Sequence, residues 1–103
     1  MEEVEDENEL IMHPAFEDWL RTLKDKQARQ RISIRLIRAR LGNFGDCEPV
    51  GDGVSEMRIM SGPGYRVYYG RQGKRTYIIL GGGEKSTQSR DITVARARFN
   101  DMR

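Results

Sequence analysis

Two segments of the chain are the most informative about its fold: GPGYRVYY at residues 62–69 and LGGGEKSTQ at residues 80–88. The first three residues of the first segment form a turn signature, and the aromatic and β-branched residues that follow favour a strand. The second segment begins as an apolar strand, passes through three glycines and ends in a polar turn. Because side chains alternate along a strand, Arg66 and Tyr68 are expected to point to the same face.

An amphipathic helix is predicted over residues 14–24, upstream of this region. Pro14 suits the first position of a helix. An apolar stripe with the spacing i, i+3, i+4 and i+7 follows it and consists of Phe16, Trp19, Leu20 and Leu23. Residues 9–12, just before this helix, predict a short edge strand.

A second helix, predicted over residues 26–41, carries two apolar stripes. One stripe consists of Ala28, Ile32, Leu36 and Ala39, and the other consists of Ile34, Ile37 and Leu41. A helix with two apolar stripes must bury both of them. The first stripe is expected to pack on the sheet. The second must be covered either by the C-terminal helix or by a partner protein. Gly42 suits the end of this helix.

The rest of the chain predicts a meander of strands and a last helix. The predicted elements are a loop over 42–53, strands over 54–61, 65–71 and 75–81, and a helix over 89–102 with Ser89 as its cap. Short turns between consecutive strands imply antiparallel pairing. The predicted fold class is α+β, with an N-terminal helix pair on an antiparallel sheet of three to four strands and a C-terminal helix. All helices are expected on one face, which leaves the other face open. Residues 14–103 are predicted to form one domain after a leader at 1–13.

The charge of the chain is divided unevenly. Residues 1–20 contain eight acidic residues and neither Lys nor Arg, whereas residues 21–103 contain 18 Lys and Arg against eight acidic residues. A body with a net charge of +10 is expected to attract polyanions, although a solubilising surface would have the same composition. The acidic leader is a candidate to fold back over this basic body. The sequence has no run of about 18 apolar residues, so no membrane span is predicted. A cytoplasmic protein is expected.

The composition argues against several kinds of site. With one histidine, His13, and one cysteine, Cys47, a zinc site is not expected, and no metal or other cofactor is predicted. His13 precedes the first helix and suits a solvated or helix-end role better than that of a base. Cys47 has acidic neighbours, which disfavour a reactive thiolate. The glycines at 81–83 lack the spacing of a Walker loop and instead suit a strand end that bends sharply or allows a close approach of the backbone.

Cations and hydroxyls are expected to converge on the open face of the sheet. Arg58, on the preceding strand, should lie within reach of Arg66 and Tyr68. Lys85 and the turn Ser86-Thr87-Gln88 come just before a helix N-terminus, where a phosphate binds favourably. This set of side chains suits a phosphodiester. The alternative is that Glu56 and Arg58, which share one face of their strand, form exposed cross-strand pairs without a ligand.

Seven short segments together resemble a known toxin family. They are FxxWLxxLKD at 16–25, AR at 28–29, GNxGD at 42–46, VGxGV at 50–54, EMRI at 56–59, GPGYRVY at 62–68 and GGEKSTQxxDI at 82–92. In order and spacing they resemble the HigB-like branch of the RelE/ParE toxin superfamily, the phage-related addiction module killer proteins of type II toxin–antitoxin systems. The resemblance covers residues 14–100.

This resemblance implies a small basic endoribonuclease that cuts mRNA in the ribosomal decoding site. Arg66 takes the position of a strand arginine that stabilises the phosphate, with Arg58 and Lys85 as further cations. The predicted catalytic set is Arg66, Lys85, Tyr68 and Arg58, and the predicted RNA-binding set is Arg58, Arg66, Ser86, Thr87 and Gln88. Lys85 and Tyr68 are the candidates for proton transfer. The family usually has Asp where this chain has Glu84.

The resemblance also implies a partner and leaves other functions open. A cognate antitoxin, usually a small helix-turn-helix protein in this branch, is expected to hold the toxin inactive, and Ile34, Ile37 and Leu41 are its predicted docking stripe. ParE-like relatives share the fold but inhibit DNA gyrase without cleaving RNA. A degenerate module that only binds its partner is a third possibility.

Overall fold

The computed structural model of the protein describes residues 7–103. Its elements in chain order are β1 (Glu9–Met12), α1 (Pro14–Thr22), α2 (Lys26–Arg40), β2 (Cys47–Gly51), β3 (Val54–Ile59), β4 (Tyr65–Arg71), β5 (Thr76–Glu84), a 3₁₀ turn (Lys85–Thr87) and α3 (Gln88–Asp101). The proposed fold-back of the leader falls largely on residues 1–6, which lie outside the described residues. No helix within residues 7–103 has the length and apolarity needed to cross a membrane.

The five strands form one mixed sheet in the order β1-β5-β4-β3-β2. The last four strands pair antiparallel as a meander, and β1 adds to β5 in parallel. The α+β class, the helix pair and the C-terminal helix agree with the prediction. The loop predicted over 42–53 was partly wrong, because Cys47–Gly51 pairs with β3 as an edge strand. Pro49 and Gly51 are residue types typical of loops, so the sequence pattern did not predict a strand here. Both residues are tolerated in a strand at the edge of a sheet.

The first face of the sheet carries α1 and α2. The first of the two predicted stripes of α2, which begins at Ala28, is buried as expected. It packs against the inward residues of β3 and β4, which are Met57, Ile59, Tyr65, Val67 and Tyr69. Both helices begin with side-chain caps. Asp25 accepts a hydrogen bond from the Ala28 amide at 3.0 Å, and Nδ1 of His13 accepts one from the Ala15 amide at 3.0 Å. Burial, together with the charge of Arg98, lowers the pKa of His13 and favours the neutral ring that can cap.

The second face of the sheet carries α3, so the prediction that all helices lie on one face was wrong. Phe99 and Ala95 of α3 pack on Val54, Tyr68, Ile78 and Leu80. Gly70 leaves room for this contact, since a Cβ there would lie 2.7 Å from the Phe99 ring. The cap of α3 is Thr87 and not Ser89, which lies inside the helix. The sheet therefore carries helices on both of its faces.

Candidate nucleic-acid interface

Arg66 lies on β4 at the edge of the region that α3 covers. It is directly opposite Arg58 on β3 and Gly83 on β5. Its Nη1 donates a hydrogen bond to the carbonyl of Gly64 at 2.9 Å, and its side chain is only 12% exposed. The guanidinium is therefore held in place by the turn that precedes its own strand.

Lys85 begins the 3₁₀ turn after β5, and the structure brings it next to Arg66. Its backbone N–H donates to the same Gly64 carbonyl at 2.8 Å. Gly64 has a φ of +81°, and a Cβ there would lie 3.1 Å from Nη1 of Arg66 and 3.5 Å from Cβ of Lys85. A glycine is thus favoured both by its backbone conformation and by the close approach of the Arg66 guanidinium. The Lys85 side chain itself is exposed.

Arg58 already has two carboxylate partners in the structure. Its Nη2 donates to Glu48 at 3.0 Å, and its Nε lies 3.4 Å from Asp46. The hydrogen bond to Glu48, assisted by the charge of Asp46, raises the pKa of Arg58, so this side chain stays cationic. Arg35 of α2 fixes the surrounding backbone by donating to the carbonyls of Arg58, Phe44 and Asp46. A phosphate at Arg58 would have to displace these acids.

The polar turn after β5 divides into an outward and an inward half. Lys85 and Ser86 are exposed, and the turn lines a shallow pocket of about 350 Å³ that continues to Arg90. Thr87 instead donates to Asp91 at 2.6 Å, and Gln88 donates to Glu56 at 2.6 Å. In this conformation the predicted RNA-binding residues Thr87 and Gln88 are engaged inside the protein.

The predicted placement of Tyr68 on an open face was wrong. Its side chain is 1% exposed beneath α3, in the cluster that contains Phe99. Its hydroxyl makes no hydrogen bond within residues 7–103. Burial, followed by the negative charges of Glu56 and Asp91, raises the pKa of Tyr68 far above its usual value near 10. In this conformation Tyr68 neither reaches a substrate nor ionises.

Glu56 is the site residue that the sequence analysis did not identify. Among residues 7–103, Glu56 is the one charged residue that is buried, at 2% exposure. It lies opposite Tyr68 in the β3–β4 register, accepts the Gln88 hydrogen bond, and is 3.8 Å from Nε of Arg66. The sequence predicted an exposed strand face here, and Glu56 was considered only in the alternative of exposed cross-strand pairs. Only the position of α3 makes it an interior carboxylate.

The second stripe of α2 is uncovered. Ile34, Ile37 and Leu41 are 48%, 53% and 66% exposed. The alternative that the C-terminal helix covers them was wrong, because α3 lies on the opposite face of the sheet. Ile34 and Ile37 line a groove of about 1010 Å³ between β1, α1 and α2. The part of the chain that the structure describes contains no group of three or more His, Cys, Asp or Glu that could hold a metal ion.

The chain has a clear relative in sequence. An uncharacterized protein of Haemophilus influenzae is 47% identical over 87 residues, which are 84% of this chain and 88% of that protein. The chain belongs to the family of this Haemophilus protein. No family model matches the sequence.

The fold of the chain is similar to that of the toxin RelE. A double arginine mutant of E. coli toxin RelE in the free state superimposes on the chain with a TM-score of 0.64, covering 90% of this chain and 97% of RelE. The two sequences are 13% identical, so the comparison shows a shared fold and no more. The RelE-like fold expected from the sequence motifs is confirmed. The HigB branch and the site residues remain predictions.

Proposed function

We propose that the protein is the toxin of a type II toxin–antitoxin system and cleaves mRNA on the ribosome, in the cytoplasm. The observation that carries this proposal is the meeting of Arg66 and Lys85 at the Gly64 carbonyl. Two cationic residues adjoin an exposed turn at a helix N-terminus, on the fold of a protein named as a toxin. Such a surface suits the phosphodiester of a single strand.

In the proposed reaction the 2′-oxygen of the RNA attacks the adjacent phosphorus and the bond to the 5′-oxygen breaks. The 2′-hydroxyl loses its proton to water, and the leaving 5′-oxygen takes a proton from the Lys85 ammonium. Arg66 stabilises the negative charge that develops on the phosphoryl oxygens, because a guanidinium matches their geometry. Arg58 contributes a second cation once the substrate displaces its carboxylate partners.

The ribosome has a physical role in this proposal. In the exposed turn at 85–88 the side chain suited to proton transfer is Lys85, and the carboxylates of Asp46 and Glu48 are paired with Arg58. The only histidine caps α1 on another part of the molecule. A site with so few groups for general acid–base catalysis depends on accurate positioning of the 2′-hydroxyl. A bound ribosome supplies that placement, which can contribute several powers of ten in rate.

The test is induced expression of the double variant Arg66→Ala, Lys85→Ala in cells. The wild-type chain is expected to arrest growth and to produce codon-phased cuts that primer extension detects. The double variant should lower cleavage about a hundredfold or more, because removing a single such group commonly costs 10².

The matched control for this test is Arg71→Ala, Lys74→Ala. It removes one exposed arginine from the same strand and one exposed lysine from the turn at its other end. The control should arrest growth like the wild type. Undiminished arrest by a folded Arg66→Ala, Lys85→Ala variant would reject the assignment of the site.

A second candidate function is favoured by the burial of Tyr68. With this residue withdrawn from the surface, the same cationic patch could bind a protein without catalysis, as in the ParE-like inhibitors of DNA gyrase. Primer extension also separates these two functions. Gyrase inhibition predicts DNA damage with intact mRNA, and a module without toxicity predicts neither effect.

We further propose that the antitoxin docks on the groove beside α2. The floor of the groove is apolar, and its lining includes Arg21, Lys26, Arg29 and Arg40 together with Glu17. Two of these cations already have an acidic partner: Arg21 pairs with Asp18, and Arg40 pairs with Glu7. This combination suits an amphipathic helix that has an apolar stripe and acidic flanks. A small helix-turn-helix antitoxin with such a segment is the proposed partner.

A further inference from the structure

Burying Glu56 in the middle of the sheet requires a structural reason. A carboxylate at 2% exposure loses most of its hydration, which is unfavourable unless partners replace the water. The Gln88 amide supplies one hydrogen bond at 2.6 Å, and Arg66 supplies a positive charge with its Nε at 3.8 Å. No cation within the described residues lies closer to this carboxylate.

These partners connect Glu56 to both halves of the proposed interface. Arg66 belongs to β4, whereas Gln88 opens α3 directly after the turn that carries Lys85. The carboxylate therefore attaches the strand arginine on one side and the first turn of α3 on the other. The Gly64 carbonyl makes a second attachment, since it accepts from both Arg66 and Lys85.

The orientation of the Arg66 guanidinium follows from these two anchors. Nη1 is bound to Gly64, and Nε faces Glu56 and is buried without a hydrogen bond. Within residues 7–103 no hydrogen bond uses Nη2, which leaves this nitrogen for an incoming phosphoryl oxygen. The charge of Glu56 balances that of Arg66 while no substrate is bound.

We propose that Glu56 is a positioning residue, which sets the Arg66 guanidinium for the phosphate and ties it to the turn that presents Lys85. This inference rests on the proposed function. Glu56 is not proposed as a base, because a side chain that is 2% exposed cannot contact the substrate.

The test combines kinetics with a direct view of Arg66. Glu56→Gln keeps an oxygen for the Gln88 hydrogen bond but removes the charge opposite Arg66. Cleavage of mRNA on programmed ribosomes is expected to fall about tenfold or more in kcat, with KM unchanged or lower, because the arginine remains but is no longer held. In ¹⁵N NMR of the purified chain, the Nε–H signal of Arg66 should shift or broaden.

Two further variants make this test specific. Glu48→Gln removes an exposed acid that pairs with Arg58, so it should move the Arg58 signal and leave that of Arg66 unchanged. Glu56→Asp keeps the charge on a shorter stem and should retain more activity than Glu56→Gln. It also serves for measurement if Glu56→Gln does not fold.

The outcomes separate this inference from the proposed function. An Arg66 signal that is unchanged in Glu56→Gln would overturn the positioning role, whatever the activity. A purely structural role would also overturn it, and would appear as lower stability with unchanged kcat in the folded protein. If the wild-type chain cleaves no mRNA while the Arg66 signal still depends on Glu56, the proposed nuclease fails and the coupling of Glu56 to Arg66 stands.

Discussion

At the scale of single residues, Tyr68 carries the largest difference between expectation and structure. It was expected at the surface as a proton-transfer group, but it lies in the core beneath α3 with a hydroxyl that lacks a hydrogen bond within residues 7–103. A buried hydroxyl of this kind is a cost to stability, and its removal is cheap when the shape of the ring is kept. Tyr68 thus contributes its ring to packing.

The pKa of Tyr68 predicts how stability depends on pH. Its folded pKa is raised above the unfolded value near 10, so its contribution to stability is complete below about pH 10 and is lost as the pH rises further. Burial also raises the pKa values of Tyr65 and Tyr69. We expect the protein to lose stability steeply above pH 10, with unfolding and tyrosinate absorbance rising together.

The variant Tyr68→Phe tests this residue directly. At pH 7 its free energy of unfolding should lie within about 1 kcal/mol of the wild type, and it should lose less stability than the wild type above pH 10. Denaturant melts at several pH values measure both effects. Tyr77→Phe, at a partly buried tyrosine, is the control. A loss above about 2 kcal/mol at pH 7 would mean that the hydroxyl of Tyr68 is hydrogen-bonded.

At the scale of elements, β5 explains the three consecutive glycines. They are part of the strand, which continues to Glu84 and is irregular opposite Tyr68 and Tyr69. A Cβ at Gly82 would overlap the Trp19 ring of α1, and one at Gly83 would overlap Asp91 of α3. At Gly81 a Cβ would lie 3.0 Å from Arg98. The glycines let helices approach β5 closely from both faces.

This close approach predicts the effect of a single methyl group. Gly82→Ala should destabilise the protein by about 1–3 kcal/mol, because the added Cβ meets a rigid indole and not a flexible side chain. For a chain of this size the loss corresponds to roughly 4–8 °C in Tm per kcal/mol, which thermal melts measure.

The control for Gly82→Ala is Gly73→Ala, in the turn between β4 and β5. A Cβ at Gly73 would have only Thr76 near it, at an ordinary 3.7 Å. This variant should change Tm little. Equal Tm values for Gly82→Ala and the wild type would show that α1 can shift away from the sheet without cost.

At the scale of the whole molecule, the sheet carries helices on both faces while one stripe of α2 stays exposed. Burying three large aliphatic side chains against a partner would contribute on the order of 1.5–3 kcal/mol each if they become fully covered. The basic residues that line the adjoining groove add attraction for an acidic partner. The molecule therefore separates its proposed docking surface on α2 from its proposed RNA surface at the start of α3.

The docking proposal predicts that Ile37→Asp weakens co-purification with the proposed antitoxin. A charge in the middle of the stripe should lower the affinity by tenfold or more, because the carboxylate would be buried unpaired and would meet an acidic helix. The control is Val94→Asp, which places the same charge at an exposed apolar position on α3. Equal yields of complex from wild type and Ile37→Asp would reject the groove as the docking site.

The periodic elements and their order could be predicted from the sequence alone. Apolar spacing located α1 and the buried stripe of α2, and turn residues located β4 to within a residue, because these signals are local. The motif around Arg66 and Lys85 also led from the sequence to the RelE-like fold. The edge strand β2 was missed because its proline and its glycine resemble a loop.

The face of the sheet on which each helix lies could not be predicted from the sequence and became apparent only in the tertiary structure. Both sides of α2 and of β4 contain residues able to pack, so local periodicity cannot choose between them, and the choice depends on contacts between residues far apart in the chain. The position of α3 buried Tyr68, turned Gln88 inward and made Glu56 an interior carboxylate. The same position left Ile34, Ile37 and Leu41 uncovered, and it placed Lys85 beside Arg66 at the Gly64 carbonyl.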